Sequence, residues 1–188
     1  MRKLTTLIMI LVICYSLICV PTYAATKGEE NALASAKNYL SIMNFSYKGI
    51  IEQLEYDGYL ASECQFAADN CEADWYDQAA GSAKQYLSIM SFSKKGLVEQ
   101  LEYDGYTESE AQFAADNCEA DWYDQAAGSA KQYLSIMSFS KKGLIEQLEY
   151  DGYTESEAEY GAAIAYDESP QKPNGSDKTS EAITEEGT

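Results

Sequence analysis

Residues 79–125 read AAGSAKQYLSIMSFSKKGLVEQLEYDGYTESEAQFAADNCEADWYDQ, and the chain carries copies of this stretch on both sides. Residues 32–78 match it at 37 of 47 positions, and its counterpart in 126–158 differs only in having Ile145 for Val98. A repeat of this length is typical of one supersecondary unit that buries part of its apolar surface on its neighbours. The repetition favours a binding protein, because it multiplies a surface, whereas a catalytic site usually needs one asymmetric set of residues.

The quoted copy predicts three helices. Asp74 is the expected N-cap of the first helix, and the apolar positions that follow it have helical spacing. Ser93 is the expected N-cap of the second helix, and Gly105 is expected to end it in a left-handed conformation. The third helix is expected to open with a capping box between Thr107 and Glu110. The apolar stripe of the first helix comprises Ala79, Ala83, Leu87 and Met90.

The third helix of the first copy departs from this pattern. Leu60 replaces the capping Thr there, so Ser62 is expected to cap a shorter helix. In every copy the second and third helices have the outline of a helix-turn-helix. A recognition helix at 107–117 would carry acidic side chains and no Lys or Arg, so the DNA groove would repel it.

These elements predict an all-α fold of tandem three-helix, helix-turn-helix-like repeats of 47 residues, with two full copies and a truncated third. The third copy is taken as truncated because it lacks the Trp-Tyr segment that would start a fourth unit. After Tyr166 the chain is acidic and rich in small polar residues, which predicts disorder. The expected boundaries are a signal segment at 1–24, a flexible linker at 25–31, repeats at 32–78, 79–125 and 126–166, and a disordered acidic tail at 167–188.

The first 24 residues have the pattern of an export signal. Arg2 and Lys3 precede an uncharged apolar run over 4–20, and small residues precede a cleavage position at Ala25. An uncleaved membrane anchor is the alternative, since the run has about the shortest length that spans a bilayer. The rest of the chain is therefore expected outside the cell, secreted or held at the membrane through its N-terminal segment.

The chain is strongly acidic, with 31 Asp and Glu against 13 Lys and Arg and a net charge of −18. This charge excludes nucleic acid as a natural partner, because phosphate binding depends on Lys and Arg. It also disfavours an anionic membrane surface, which attracts basic segments. A basic protein is the partner that fits the sign, with electrostatic steering of the encounter. The alternative is that the acidity only keeps an exported protein soluble.

The sequence has no His, and Cys64, Cys71 and Cys118 are its cysteines beyond the signal segment. Without His it lacks the usual general base and the commonest metal ligand, so we expect no enzyme activity, no catalytic or metal site and no cofactor. On one helix, Cys64 and Cys71 would lie about 10 Å apart, too far for a disulfide. The three cysteines are therefore interpreted as small apolar helix residues.

Acidic residues recur at the turn between the second and third helices of each copy. They would form a stripe that binds a basic protein, or else an ordinary solvated helix face whose first-turn acids favour the helix dipole. Binding through the stripe would weaken steeply with salt and would be lost when Glu102, Asp104 and their equivalents become Lys. The candidate partner-binding residues are Glu55, Asp57, Glu102, Asp104, Glu108, Glu110, Glu149, Asp151, Glu155 and Glu157.

Aromatic residues also recur in every copy. They would stack on cell-wall sugars in a wall-binding structural repeat protein, whose retention on the wall survives salt. We interpret them instead as packing between helices and repeats, because large rings with polar tips suit half-buried positions. The residues concerned are Trp75, Tyr76, Trp122, Tyr123 and the pairs Tyr56/Tyr59, Tyr103/Tyr106 and Tyr150/Tyr153.

Three stretches of the repeat, 83–97, 99–106 and 120–126, resemble the host cell surface-exposed lipoprotein (Ltp) family, and the resemblance covers residues 32–165. It implies a tandem helix-turn-helix-like fold on the outer face of Gram-positive cells, often encoded by prophages. It also implies superinfection exclusion, in which entry of DNA from an incoming phage is blocked. The basic partner would then be a phage tail or injection component.

The N-terminal segment differs from a lipoprotein signal in one respect. Ile13 and Ile18 precede Cys14 and Cys19, where a small residue normally precedes the lipid-bearing Cys. Lipidation, cleavage after Ala24 and retention as an anchor therefore all remain open from the sequence.

Overall fold

The computed structural model describes residues 24–172, so the expected signal segment lies outside the described residues except for Ala24. Between these limits the chain forms nine helices and no strand. In chain order they are α1 Lys27–Ile42, α2 Tyr47–Tyr56, α3 Ala61–Asn70, α4 Trp75–Ile89, α5 Lys94–Tyr103, α6 Glu108–Asn117, α7 Trp122–Ile136, α8 Lys141–Tyr150 and α9 Glu155–Ala165.

The helices group into three units of three, each with its own apolar core. In the second unit the middle helix α5 contributes Leu97 and Leu101, which have no exposed surface. The first and third helices, α4 and α6, face each other mainly through alanines, and these two helices pack most closely in each unit. Small side chains permit this close approach, so the leucines of the middle helix supply most of the bulk in the core.

The predicted helix caps are confirmed. Asp74 accepts hydrogen bonds from the N–H groups of the first turn of α4, and Ser93 accepts one from Gly96 N at 2.9 Å. Gly105 follows α5 with a φ of +90°, and Thr107 forms the capping box with Glu110. The all-α fold of tandem three-helix repeats predicted from the sequence is therefore confirmed.

The unit boundaries differ from the expected ones. The linker expected at 25–31 is wrong from Lys27 onward, because Thr26 and Glu29 form a capping box that starts α1 there. Each unit therefore begins with the first helix, at Lys27, Trp75 or Trp122. When the units are counted from these residues, the third unit has all three helices, so the expected truncation is also wrong.

The third helix of the first unit is not shortened. Helix α3 starts at Ala61, directly after Leu60, so the expectation that Ser62 caps a shorter helix is wrong. The Glu63 carboxylate accepts a hydrogen bond from Leu60 N at 2.9 Å, which is the half of a capping box that needs no side-chain acceptor at the N-cap.

Residues 167–172 are ordered against the third unit, which corrects the expectation of a disordered tail from residue 167. Glu168 pairs with Lys141 at 2.6 Å, and Lys172 pairs with Asp121, the N-cap of α7, at 2.7 Å. The remainder of the expected tail, 173–188, lies outside the described residues. The ion pairs hold the start of the tail along the outer side of the third unit.

Successive units meet through the ends of their middle helices. The N-terminus of α2 abuts the C-terminus of α5, where Ser46 Oγ donates to the carbonyl oxygen of Asp104 at 2.6 Å. The same hydroxyl accepts from Gly49 N at 2.9 Å. One Ser therefore satisfies an N–H at one helix end and a carbonyl at another, and the two helix dipoles meet with opposite ends together.

The junction between the second and third units repeats this contact. Ser93 Oγ donates to the Asp151 carbonyl oxygen at 2.5 Å, and Phe92 N donates to Gln125 Oε1 at 3.2 Å. At the first junction the corresponding bond joins Phe45 N to Gln78 Oε1, also at 3.2 Å. Two equivalent junctions thus align the three units, and with them the repeated surface positions.

Glycines make the junctions close. A Cβ on Gly81 would lie 2.4 Å from Asn44 Oδ1, and one on Gly105 would lie 2.9 Å from Lys48 Cβ. Since real Cβ atoms do not approach other atoms this closely, glycine at these two positions lets the first helix and the turn of one unit lie close to the preceding unit.

Candidate interaction surface

Each middle helix presents one exposed glutamate in its last turn, and these residues are Glu55, Glu102 and Glu149. Among residues 24–172 none of the three takes part in an ion pair. One turn earlier another glutamate pairs with a lysine on the same helix, as Glu99 Oε1 does with Lys95 Nζ at 3.7 Å. The equivalent pairs are Lys48–Glu52 and Lys142–Glu146. The last-turn glutamates therefore keep their full charge available to a partner.

The aspartates of the predicted acidic stripe have a structural role. Asp104 is the C-cap of α5, and its carboxylate accepts from Tyr86 OH at 2.6 Å and from Gln100 Nε2 at 3.1 Å. Burial and the bond to Asp104 raise the pKa of the Tyr86 phenol. Asp57 and Asp151 make the same contacts with Tyr39 and Tyr133. These bonds fix the end of the middle helix to the first helix of its own unit.

The four predicted glutamates of the third helices divide in the same way. Glu110 and Glu157 close capping boxes, each accepting from the backbone N–H of the capping Thr. Glu108 and Glu155 are exposed in the first turns of α6 and α9. The structure thus leaves five of the ten predicted residues exposed without a structural bond: Glu55, Glu102, Glu149, Glu108 and Glu155.

An exposed tyrosine follows each exposed glutamate of the middle helices. Tyr56, Tyr103 and Tyr150 are 88%, 85% and 86% exposed. The interpretation of the aromatic residues as packing is therefore wrong for these three, because they end the middle helix on the side away from the core. It is confirmed for Tyr106 and Tyr153, which are buried, and Trp75 and Trp122 pack against the cores.

Isoleucine and methionine at the end of each first helix form a second exposed feature. Met90, expected in the buried stripe, is instead 46% exposed. Met90 and Ile136 line a groove of about 260 Å³ at the junction of the second and third units. A sequence signal was available for the isoleucine, because Ile89 is out of phase with the stripe of Ala79 and Leu87, but Met90 is in phase with it. The exposed residues are Ile42, Met43, Ile89, Met90, Ile136 and Met137.

Sequence analysis also missed the acidic residues that follow two third helices in a left-handed conformation. Glu72 and Glu119 have φ values of 61° and 60°, and Asp167 after α9 has 57°. Glycine or asparagine is usual at such a position, since other side chains are strained there. An exposed acid at the same strained turn in every unit adds to the negative surface.

Within residues 24–172 the cysteines Cys64, Cys71 and Cys118 are free and buried. Cys64 lies within α3, whereas Cys71 and Cys118 are C-cap residues whose thiols contact carbonyl oxygens at 3.3 Å. Burial raises the pKa of the Cys64 thiol. Among the described residues, no cluster of three or more acidic or Cys side chains is arranged to hold a metal ion.

The part of the chain from residue 24 to residue 172 contains no helix that is both long and apolar enough to cross a membrane. The fold and surface define a class: an all-α protein of tandem three-helix units that presents the same exposed side chains three times.

Residues 27–71, 74–118 and 121–163 each match the sequence model of the family described as host cell surface-exposed lipoprotein, Ltp. The chain belongs to this family, which confirms the resemblance found in the sequence. The three matched segments begin at or next to the first residues of α1, α4 and α7, in agreement with the unit boundaries of the structure. The protein is accordingly a cell-surface protein.

No curated protein matches the chain. No solved structure matches it either.

Proposed function

We propose that this surface protein is exported to the extracellular face of a Gram-positive cell, where it acts as a superinfection exclusion factor. It works by binding and not by catalysis, and its partner is a basic component of a phage tail or injection apparatus. The observation that carries the proposal is the exposed glutamate, free of any ion pair among the described residues, at the end of all three middle helices.

The charge arrangement supports a basic protein as the partner. The chain has a net charge of −18, so a basic partner is steered toward it over long distances. Because two equivalent junctions align the units, one partner with regularly spaced Lys or Arg can contact several units at once. Linked equivalent sites raise the effective concentration for each further contact, so several weak contacts together give a high overall affinity.

The test of exclusion is phage challenge of Gram-positive cells that express the protein, with adsorption and DNA entry scored separately. Normal adsorption with blocked DNA entry is the expected result, because a factor that binds an injection component acts after attachment. Unchanged DNA entry across a broad phage panel would rule the function out.

The role of the acidic surface is tested by a triple variant, Glu55→Gln with Glu102→Gln and Glu149→Gln. We expect it to lose exclusion, because it removes the unpaired charge of each middle helix. The matched control is Glu52→Gln with Glu99→Gln and Glu146→Gln, which removes the same charge from the same helices at positions already paired with Lys. Equal loss in both variants would show that only net charge matters.

A second function is favoured by the exposure of Tyr56, Tyr103 and Tyr150. Aromatic rings at regular intervals bind sugars by stacking, so the protein would be a wall-binding structural repeat protein without antiphage activity. Retention on purified cell wall that survives high salt and is lost on changing the three tyrosines to Ala would support this function. Release by moderate salt would instead support the acidic surface, since salt screens exposed charges.

A further inference from the structure

The outer end of the third unit carries the same contact residues as the inner junctions, without a partner among the described residues. Residues 138–143 and residues 91–96 have the identical sequence SFSKKG. Ser93 is 3% exposed because Asp151 of the next unit covers it, whereas Ser140 is exposed. Ser140 Oγ still caps its own helix by accepting from Gly143 N at 3.1 Å, so the hydroxyl proton is left to donate outward.

The outer end of the first unit carries the complementary half of the junction. Around Gly58 no atom lies within 4 Å of an added Cβ, whereas Lys48 occupies that space at the equivalent Gly105. Asp57 and Gly58 are exposed, and Tyr59 is less buried than its equivalent Tyr106. The carbonyl oxygens at the end of α2 are therefore open where those of α5 receive a serine.

We infer that a second copy of this chain docks end to end on the first, with Ser140 Oγ of one copy donating to the Asp57 carbonyl oxygen of the other. The contact continues the interface that the chain already uses twice between its own units. It joins two different surfaces, so it has one direction and extends to an open chain of molecules. The inference does not depend on the proposed function.

The receiving face differs from the inner junctions at Asn31, Ala34 and Asn38, the last of which replaces the Gln132 that lines the groove at the second junction. Ala34 stands where Gly81 and Gly128 stand, and it would meet Ser138. Together the side chains of Ser138 and Ala34 have fewer heavy atoms than the side chain of Asn44, which packs against Gly81 at the first junction. Asn31 replaces Gln78 and keeps the amide oxygen that accepts from the Phe backbone N–H.

These differences set the strength of the contact. A Cβ on Gly128 would lie 2.1 Å from Ser91 Oγ and 3.2 Å from Ser91 Cβ, so Ala34 requires the Ser138 hydroxyl to rotate and the docked copy to shift. The shorter Asn31 reaches less far than Gln78. The end-to-end contact is therefore weaker than the inner junctions, and association depends on protein concentration.

The start of the C-terminal tail leaves Ser138 and Ser140, where the second copy would dock, exposed. Glu168 pairs with Lys141, and Lys172 pairs with Asp121 and Asp124 of α7. The groove that Pro170 and Gln171 line faces α8 and α9. The described tail residues thus run along α7, α8 and α9. Tyr166, just before them, donates to the carbonyl oxygen of Phe139, and Ser140 remains exposed.

The experiment is sedimentation velocity on the chain from Ala25, which keeps every described helix, at concentrations up to about 1 mM, the weak end of specific association. The wild type is expected to shift to larger species as concentration rises. In Ser140→Asp the carboxylate still caps α8 as an acceptor, but it cannot donate to the Asp57 carbonyl oxygen of a second copy. The shift to larger species is therefore lost while the monomer stays folded. The double variant Asn31→Gln with Ala34→Gly restores two of the inner-junction residues and lowers the concentration at which the shift begins by about tenfold.

Two results would overturn the inference. A wild type that remains monomeric throughout would show that Asn31 and Ala34 act as a cap, even if the double variant associates. Association that persists unchanged in Ser140→Asp would place the contact on another surface, such as the exposed Ile and Met residues. An unfolding midpoint equal to that of the wild type establishes that Ser140→Asp is folded, and a second substitution, Gly58→Ala, blocks the same contact from the receiving side.

Discussion

Gly58 and Gly105 are equivalent residues with nearly the same backbone, with φ values of +94° and +90°. They differ in their surroundings, since a Cβ on Gly105 would lie 2.9 Å from Lys48 Cβ and one on Gly58 would meet nothing within 4 Å. The pair therefore separates the cost of a left-handed backbone from the cost of a crowded junction.

We predict that Gly58→Ala lowers the free energy of unfolding by about 1 kcal/mol, the cost of a positive φ alone. Gly105→Ala carries the same cost and in addition forces Lys48 away, so we expect a loss of about 2–4 kcal/mol. Urea unfolding at low protein concentration measures both. Equal losses would show that the junction relaxes without cost.

Tyr106 is a buried residue whose hydroxyl hydrogen-bonds to Ser82 at 2.8 Å, and Tyr153 does the same with Ser129. Burial raises the pKa of each phenol to about 12, from an ordinary value of 10.0. The folded state therefore holds these protons more strongly than the unfolded state. The stability they contribute is fully present below pH 10.0 and is lost as the pH rises toward about 12.

We accordingly predict a fall in the free energy of unfolding of about 2 kcal/mol for each tyrosine across that pH range. In the double variant Tyr106→Phe with Tyr153→Phe this fall should be smaller, because the two most deeply buried of these phenols are gone and only the partly buried ones, such as Tyr86 and Tyr133, still ionise with a raised pKa. The variant loses about 1 kcal/mol per site at neutral pH, where Ser82 and Ser129 lack a partner. Urea midpoints measured between pH 9 and 12 decide the matter, and an unchanged pH dependence in the variant would contradict the prediction.

The N-cap residue of the third helix differs between units and is expected to change the stability of that helix. Thr107 and Thr154 accept from the N–H three residues on, whereas Leu60, which is 66% exposed, offers no acceptor. We predict that Leu60→Thr stabilises the first unit by about 1 kcal/mol, the usual value of an N-cap, and that Thr107→Leu destabilises the second by a similar amount. Thermal unfolding followed by circular dichroism measures both changes. A loss of stability in Leu60→Thr would show that Leu60 packs in a way that outweighs the cap.

The helices were predictable because their signals are local. The caps Asp74, Ser93 and Thr107 and the terminal Gly105 each act within a few residues of the sequence, so they could be located without a structure. The start of α1 was missed because its Thr26–Glu29 capping box lies outside the repeated sequence. A boundary drawn from repetition alone therefore placed the unit five residues too late.

The surface was less predictable than the helices, because exposure depends on which side chains of the other helices cover a position. Tyr103 and Tyr106 are three residues apart, yet the first is almost fully exposed and the second is buried against Ser82. Asp104 and Glu102 are both acidic, yet only Asp104 bonds to Tyr86. Sequence spacing identifies such pairs but does not decide which member faces solvent.

The whole molecule depends on its two junctions, since each unit has a separate core and touches only its neighbours. Stability in such a protein is approximately the sum of the stabilities of the units and of the interfaces between them. The alignment of the exposed Glu and Tyr residues follows from the same interfaces. A substitution that opens one junction is therefore expected to change both the unfolding and the binding surface.

Ser93→Asp tests this dependence. Asp retains an acceptor for the first turn of α5, but it cannot donate to the Asp151 carbonyl oxygen and brings a negative charge to the negative end of α8. We predict a loss of about 1–3 kcal/mol and a broader urea transition, with the third unit unfolding before the other two. Ser140→Asp makes the same chemical change at the outer end and should leave the unfolding of the monomer within about 0.5 kcal/mol of the wild type. If both variants behave alike, the serine hydroxyl bridging two helix ends does not hold the units together, and the alignment of the exposed glutamates must come from the Gln125 contact and the close approach at Gly128.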